Sequence, residues 1–350
     1  MRAPVLHGYR DMTYDEVPDP HPGPGQALIR IHLCGICGSD VHRYDNPDQQ
    51  DDQIMGHEFV GTVIELGEGA QGPAIGSRVI EAMNDACGGC AFCNRGEAYL
   101  CHQHYILESQ QGIDVHGRGR VVTGGYGEYV ALEASRLMAV PEDMTDHAAA
   151  SVEAAAVGYH AVKHSGISLG DTAVVFGGGP IGLYTMQCAR EAGATRVITV
   201  EPVAARQRAA RELGVDEVVD PSKSDDVVAE LKELTQGGPD IVFEAAGVPV
   251  TTQQAIETVR PNGRVGLVGV TLKPATIHQA TWVRKNLQVR TSLAFSREDF
   301  PSIIQLFRKQ RVRAEPLITS VVPASETTAA FDRLLEPNEE IKILVEPAHD

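Results

Sequence analysis

Long apolar stretches are missing from this 350-residue chain. No run of 18 apolar residues occurs, so no membrane span is expected. Met1 to Tyr14 lacks the basic region and apolar core of a secretory signal. Both absences point to a cytoplasmic protein with no membrane partner. Basic residues are outnumbered, 30 against 47 acidic, and the net charge of −17 disfavours non-specific nucleic-acid binding. A charged small substrate remains compatible, because a local pocket can oppose the global sign. Lysine is scarce: 7 of the 30 basic residues are Lys, a bias with no functional meaning by itself. Tandem repeats and low-complexity segments are absent too.

The length and the 43% hydrophobic content are enough for two ordinary domains with a substantial core. Seven cysteines are present: Cys34, Cys37, Cys87, Cys90, Cys93, Cys101 and Cys188. An odd number without a secretory signal favours a reducing compartment and metal binding over a disulfide framework.

Two textures divide the chain. Up to about residue 150 it is rich in Gly and Pro, with short β-branched runs such as Ala27 to Leu33 that read as strands between turns. From Gly170, strand and helix patterns alternate. Thr172–Phe176, Arg196–Val200, Asp240–Phe243 and Arg264–Val268 read as strands; Ile181–Ala192, Ala204–Leu213 and Thr251–Val259 read as helices. Such alternation implies a parallel sheet with right-handed crossovers. The expected class is α/β, with a β-rich first domain and a doubly wound second one. Beyond about Leu287 the pattern shifts again.

Gly177-Gly178-Gly179-Pro180-Ile181-Gly182 satisfies G-x-G-x-x-G, follows an apolar strand and opens a helix. Glu201 ends the next strand, nineteen residues after Gly182. Together these form a dinucleotide fingerprint. Glycines let the backbone approach a pyrophosphate, and the helix N-terminus offers unpaired N–H groups and the positive end of its dipole. Glu201 can accept hydrogen bonds from ribose hydroxyls and would repel a 2′-phosphate, so NAD is favoured over NADP. Arg206 could flank the adenine end or be a solvated helix residue.

Cys87, Cys90, Cys93 and Cys101 are spaced C-x2-C-x2-C-x7-C. Four thiolates can make a closed tetrahedral zinc site that leaves no place for substrate, so this site reads as structural. Iron–sulfur ligation is the chemical competitor. Gly88, Gly89 and Gly96 permit the tight turns such a loop needs. Cys34 and Cys37 form a second C-x-x-C without thioredoxin-like context; Cys34 is expected to pack and Cys37 to bind metal. Cys188 is expected in a helix core.

Cys37-Gly38-Ser39-Asp40-Val41-His42 is followed by Gly56-His57-Glu58, Gly61 and Gly67, then by the cysteine lobe, Gly124-Gly125-Tyr126-Gly127-Glu128-Tyr129 and the dinucleotide fingerprint. In this order the motifs resemble the zinc-dependent medium-chain alcohol dehydrogenases, from Pro24 to Val345. Ser151 to His160 looks like the sorbitol, butanediol and threonine dehydrogenase branch, although Ala154 stands where that branch usually has Pro.

The resemblance implies a GroES-like catalytic domain over 1–155 and 290–350 holding both zinc sites. It also implies a Rossmann NAD-binding domain over 156–289, and two zinc ions per subunit. Cys37 and His57 would ligate the catalytic zinc. Glu58 and Glu153 would be carboxylates at that metal, as direct ligands or holding its water. Asp40 would orient His57 through its other ring nitrogen. Zinc would lower the pKa of a substrate alcohol. Ser39 would take the alcohol proton, which passes through the cofactor ribose and His42 to solvent. Val268, Val270, Leu293 and Phe295 would lie beside the nicotinamide.

The implied activity is hydride transfer between NAD and a secondary alcohol, such as a polyol, diol, sugar or amino alcohol, or the corresponding ketone. The alternatives are an NADPH-dependent carbonyl reductase of the same fold and a non-catalytic NAD-binding regulatory protein. A homotetramer or homodimer is expected, with an interface near Pro274 to Thr281. Substrate choice is expected from the loops Arg43 to Met55 and His102 to Thr123. Asp45, Asp48, Asp51 and Asp52 make the first of these acidic.

Overall fold

A computed structural model describes residues 1–49, 52–82, 87, 89–101, 112–114, 120–122, 124–271, 273–336 and 338–348. The loop His102 to Thr123 therefore lies outside the described residues, except for the short antiparallel pair Gly112–Asp114 and Arg120–Val122. The chain divides into two compact units. One comprises Met1–Glu153, Ser296–Arg308 and Ile318–Asp350; the other comprises Ala154–Phe295 and Lys309–Leu317.

The first unit is built on a seven-stranded mixed sheet. Ile318–Pro323, Lys342–Glu346, Gln26–Gly35, Glu58–Leu66, Arg78–Glu81 and Leu137–Ala139 lie side by side, and Tyr129–Glu133 also pairs with Gln26–Gly35. The long central strand alternates β-branched and other residues, and Ala27, Ile29 and Ile31 face a core containing Phe59, Tyr126, Phe331 and Val345. Antiparallel pairing sets Gly35 opposite Glu58 on one side and Leu344 on the other. This register brings the two strand ends that carry the polar site together.

The second unit is a six-stranded, wholly parallel sheet. Its spatial order is Glu217–Val219, Arg196–Val200, Thr172–Phe176, Ile241–Glu244, Arg264–Leu267 and Gln288–Thr291. Counted along the chain this is 3-2-1-4-5-6, the doubly wound order of dinucleotide-binding sheets. Val174, Phe176, Ile198, Val242 and Val265 fill the core, as expected of strands covered on both faces. The expected helices are found at Pro180–Glu191, Ala204–Glu212 and Pro249–Thr258. Among the described residues no helix is long and apolar enough to cross a membrane.

Candidate metal centre and dinucleotide site

The central strand of the first unit ends at Gly35. A Cβ there would lie 2.4 Å from Oε2 of Glu58, so any larger residue would have to displace that carboxylate. Two residues on, Cys37 sits in extended conformation immediately before the short helix Gly38–Tyr44. Asp40 on that helix turns back. Its Oδ2 accepts a hydrogen bond from the Cys37 N–H at 3.3 Å and another from the Tyr126 hydroxyl at 2.7 Å. Its Oδ1 faces Nδ1 of His57 at 3.6 Å, an electrostatic contact longer than a hydrogen bond.

The ligand atoms of Cys37, His57 and Glu58 all lie within 4.8 Å of one another. A tetrahedral zinc with bonds of about 2.0–2.3 Å needs ligand atoms roughly 3.3–3.8 Å apart, which lies within that limit. One thiolate, one imidazole and one carboxylate is a donor set suited to zinc with an open position. Glu153 is outside this close trio, but it shares its surroundings. Burial pushes its carboxyl up to about 7, His57 and Lys342 opposing the rise and Glu58 adding to it.

Charge is arranged around the same point. Burial works against the charge of Asp40, but His57, Tyr126 and the Cys37 N–H outweigh it and hold the carboxyl below its usual range. Burial likewise disfavours a charged His57, yet Asp40 and Cys37 keep its pKa well above the ordinary imidazole value. Lys342 is buried against Glu58, its Nζ donating to Oε2 at 2.5 Å. Ser39 and His42 stand on the exposed side of the Gly38–Tyr44 helix. Cys34 is buried, and burial raises its thiol well above the normal range, as suits a packing role.

The sulfur atoms of Cys87, Cys90, Cys93 and Cys101 form a second cluster, with no disulfide among them. Cys90 lies 3.4 Å from Cys93 and 3.9 Å from Cys101, and Cys87 lies 3.9 Å from Cys93. The edge of a zinc–thiolate tetrahedron is about 3.8 Å. Backbone N–H groups point at the sulfurs, from Cys90 to Cys87 at 3.2 Å and from Cys87 to Cys101 at 3.3 Å. The Cys93 N–H is the main reason that the Cys90 thiol falls to about 6. All four positions suit bound metal. Gly88 lies outside the described residues.

In the second unit, Thr172–Phe176 runs into Gly177 and the helix Pro180–Glu191, with Gly179 at its N-cap. A Cβ at Gly182 would fall 1.9 Å from the Gly177 carbonyl oxygen, so the helix reaches the turn only because this residue is glycine. Glu201 is buried at the end of the next strand. Its Oε2 accepts from the Gly178 N–H at 2.5 Å and its Oε1 from the Val203 N–H at 2.8 Å. The carboxylate thus already braces the glycine turn, a role the sequence did not reveal. Arg206 is partly buried on the following helix. Val268 and Phe295 are buried, whereas Val270 and Leu293 are exposed.

Three further residues escaped the sequence reading. Tyr126 lies within Gly124–Tyr129, but nothing in that segment indicates its bond to Asp40. Lys342 is the one basic residue of the Lys342–Glu346 strand and is buried directly before the apolar run Ile343–Val345; a cation at the head of that run was the available signal. Glu244 ends a buried strand, and its Oε1 accepts from the N–H groups of Ala246 at 3.0 Å and Gly247 at 2.9 Å and from the Thr251 hydroxyl at 2.7 Å. Two carboxylates of the acidic loop have partners within the fold. Asp45 pairs with Arg10 and Asp52 with His7; Asp51 is outside the described residues.

Residues 23–142 match the family model for the alcohol dehydrogenase GroES-like domain, and residues 180–309 match that for zinc-binding dehydrogenases. The chain belongs to the zinc-binding alcohol dehydrogenase family. It is 36% identical over 363 residues to the (R,R)-butanediol dehydrogenase of Bacillus subtilis (strain 168), covering 99% of this chain and 100% of that one. It is 32% identical over 346 residues to a sorbitol dehydrogenase of Halalkalibacterium halodurans, covering 97% of each. A Sinorhizobium meliloti 1021 protein solved with NADP bound superposes with a TM-score of 0.85 at 29% identity, covering 99% of each chain. The fold class is the one the sequence implies, a GroES-like domain with a parallel-sheet nucleotide domain. The enzyme is an oxidoreductase whose relatives are named for diols and polyols, and the non-catalytic alternative has no support.

Proposed function

We propose that this enzyme transfers a hydride between NAD and a secondary alcohol carrying a neighbouring hydroxyl, a vicinal diol or a polyol. The observation that carries this reading is the convergence of Cys37, His57 and Glu58 at the meeting of two strand ends, with Asp40 facing the far nitrogen of His57. Zinc held there would supply Lewis acidity toward the substrate oxygen. Asp40 fixes the orientation of His57, and Tyr126 fixes Asp40. Ser39 takes the proton of the substrate hydroxyl, and His42, exposed three residues later, passes it to solvent. Glu153 is a neighbouring carboxyl that can hold or release a proton near neutrality.

Gly177, Gly179, Pro180, Ile181 and Gly182 cradle the pyrophosphate, Glu201 and Arg206 meet the adenosine end, and Val268, Val270, Leu293 and Phe295 flank the nicotinamide. The four cysteines hold a second zinc with no role in the chemistry. The enzyme works in the cytoplasm as a homodimer or homotetramer.

A second reading, an NADPH-linked carbonyl reductase, draws on the NADP bound by the Sinorhizobium relative. One experiment separates the two. The zinc-loaded enzyme is assayed across a panel of diols, polyols and simple alcohols with NAD and NADP. Turnover of vicinal diols or polyols with NAD supports the reading. Activity confined to NADPH-driven carbonyl reduction replaces it.

A further inference from the structure

The Met1–Glu153 unit and its returning segments contain a single lysine. Lys163, Lys223, Lys232, Lys273, Lys285 and Lys309 all fall in the second unit, leaving Lys342 alone in the first. Lys342 is 3% exposed and its partner Glu58 1%. Its Nζ donates to Oε2 of Glu58 at 2.5 Å and to the carbonyl of Ile36 at 3.0 Å. The charge is thus fixed from two sides, by the carboxylate of a proposed metal ligand and by the backbone one residue before Cys37.

The surroundings explain why a cation is needed. Asp40 and Glu58 are buried side by side with the half-buried Cys37 and Glu153 near them, four acidic groups faced by His57 and Lys342. An uncompensated carboxylate there is strongly destabilising, while a paired one is tolerated. A divalent metal would supply compensation, but only while it is bound. Lys342 supplies a positive charge that is part of the chain. An ammonium suits the task better than a guanidinium, because it is a compact point charge that fits between Glu58 and the Ile36 carbonyl.

We propose that Lys342 is the resident counter-cation of the metal centre. It holds Glu58 in place when no metal is bound, so the ligand set is built and open in the metal-free enzyme. It also keeps hold of one Glu58 oxygen when metal is present. The proposal rests on reading Cys37, His57 and Glu58 as a metal site. Two cations drawing on one carboxylate weaken each other, and such coupling is reciprocal. Removing Lys342 should therefore destabilise the metal-free protein and strengthen its grip on the metal. A purely structural ion pair would do only the first.

The test uses Lys342→Met and Lys342→Arg in the full chain. Zinc release to a chromogenic chelator is followed for both sites, and metal-free protein is unfolded in urea. The unmodified enzyme should release two zinc ions per chain in separable phases. In Lys342→Met the Glu58-site phase should slow by about tenfold, within the range usual for coupled sites. The four-cysteine phase should not change, and the metal-free midpoint should fall. Lys342→Arg should lie between the two. Should metal-free Lys342→Met fail to fold, the double variant Glu58→Gln/Lys342→Met, which removes both charges, should recover the fold. Failure of both overturns the proposal. An unchanged or faster Glu58-site phase overturns the proposal alone. If the unmodified enzyme holds only the four-cysteine zinc, the site reading falls and takes the proposal with it.

Discussion

Oδ1 of Asp40 faces Nδ1 of His57 at 3.6 Å, leaving the Nε2 side of the imidazole for a metal. The second Asp40 oxygen is held by Tyr126 and by the Cys37 N–H, so the carboxylate cannot swing away from the ring. Carboxylates that support a histidine ligand are worth 10–100-fold in metal affinity or activity. Asp40→Asn retains an acceptor for Tyr126 and so should fold. It should release the Glu58-site zinc about 10–100-fold faster and lose turnover in parallel, read by chelator kinetics beside steady-state assays. Normal release and normal turnover would remove Asp40 from the site.

The two metal clusters should fail differently. Cys37→Ser should abolish turnover while the fold and the cysteine-lobe zinc persist. Cys93→Ser should chiefly lower stability, because structural zinc contributes folding free energy. Thermal unfolding with zinc analysis distinguishes them. If Cys93→Ser left the unfolding temperature unchanged and selectively removed activity, the two assignments would be exchanged.

Short-range patterns were legible before the structure. Thr172–Phe176 and Arg196–Val200 were recognisable to the residue, because an apolar β-branched run bounded by Gly or charge has few other homes. Cys37, His57 and Glu58 were legible because motif spacing survives folding. Lys342 was not, since 284 residues separate it from Glu58 and only the pairing of Lys342–Glu346 with Gln26–Gly35 brings them together. The same holds for Tyr126 and Asp40, 86 residues apart. The bracing role of Glu201 was hidden for another reason. Its partners are backbone N–H groups, which every sequence offers and none advertises.

Acid should weaken the joint that Asp240 makes in the nucleotide-binding unit. Asp240 accepts from the Thr172 N–H at 2.8 Å and from Arg260 Nε at 2.8 Å. Burial opposes its charge, but these partners outweigh it and lower its pKa. The folded value is below the unfolded one of about 3.9, so the contribution is fully present above that pH and fades as pH falls through the folded value. Asp240→Asn should cost about 1 kcal/mol near pH 7, a modest figure because the group is partly exposed. Thermal unfolding at several pH values should show the gap to the unmodified enzyme closing below about pH 4. A gap constant with pH would mean the carboxylate charge is not what holds the joint.

The outer strand Gln288–Thr291 is an edge of the parallel sheet, and the preceding helix Gln279–Lys285 has no buried residue. Val283 is 67% exposed. An uncovered edge beside exposed apolar residues invites pairing with another chain. The enzyme should therefore be a dimer or tetramer by light scattering at micromolar concentration, and Val283→Glu should shift it toward the monomer. A monomeric unmodified enzyme would count against this surface.

Cofactor choice should turn on Glu201 if it meets the adenosine ribose as proposed. Both of its oxygens already accept backbone N–H groups, from Gly178 and Val203. A carboxylate offers about four lone-pair sites, so ribose hydroxyls can still be accepted in the remaining directions. A 2′-phosphate would instead bring nearly two negative charges against a buried one. Discrimination on the order of 10²-fold, about 3 kcal/mol, follows from such a like-charge contact. Arg206 on the next helix could reach the phosphate, but it cannot remove the carboxylate from beneath it. Glu201→Ala is a poor probe, because it leaves two N–H groups without acceptors and costs about 1–3 kcal/mol for each that stays buried. Glu201→Gln keeps one oxygen acceptor and removes the charge. It should lower the NAD-to-NADP ratio of kcat/KM by about 10²-fold, a ΔΔG‡ of about 3 kcal/mol, while keeping most of the stability. Equal efficiency with the two cofactors in the unmodified enzyme would show that Glu201 braces the glycine turn without selecting the nucleotide, and would shift attention to Arg206.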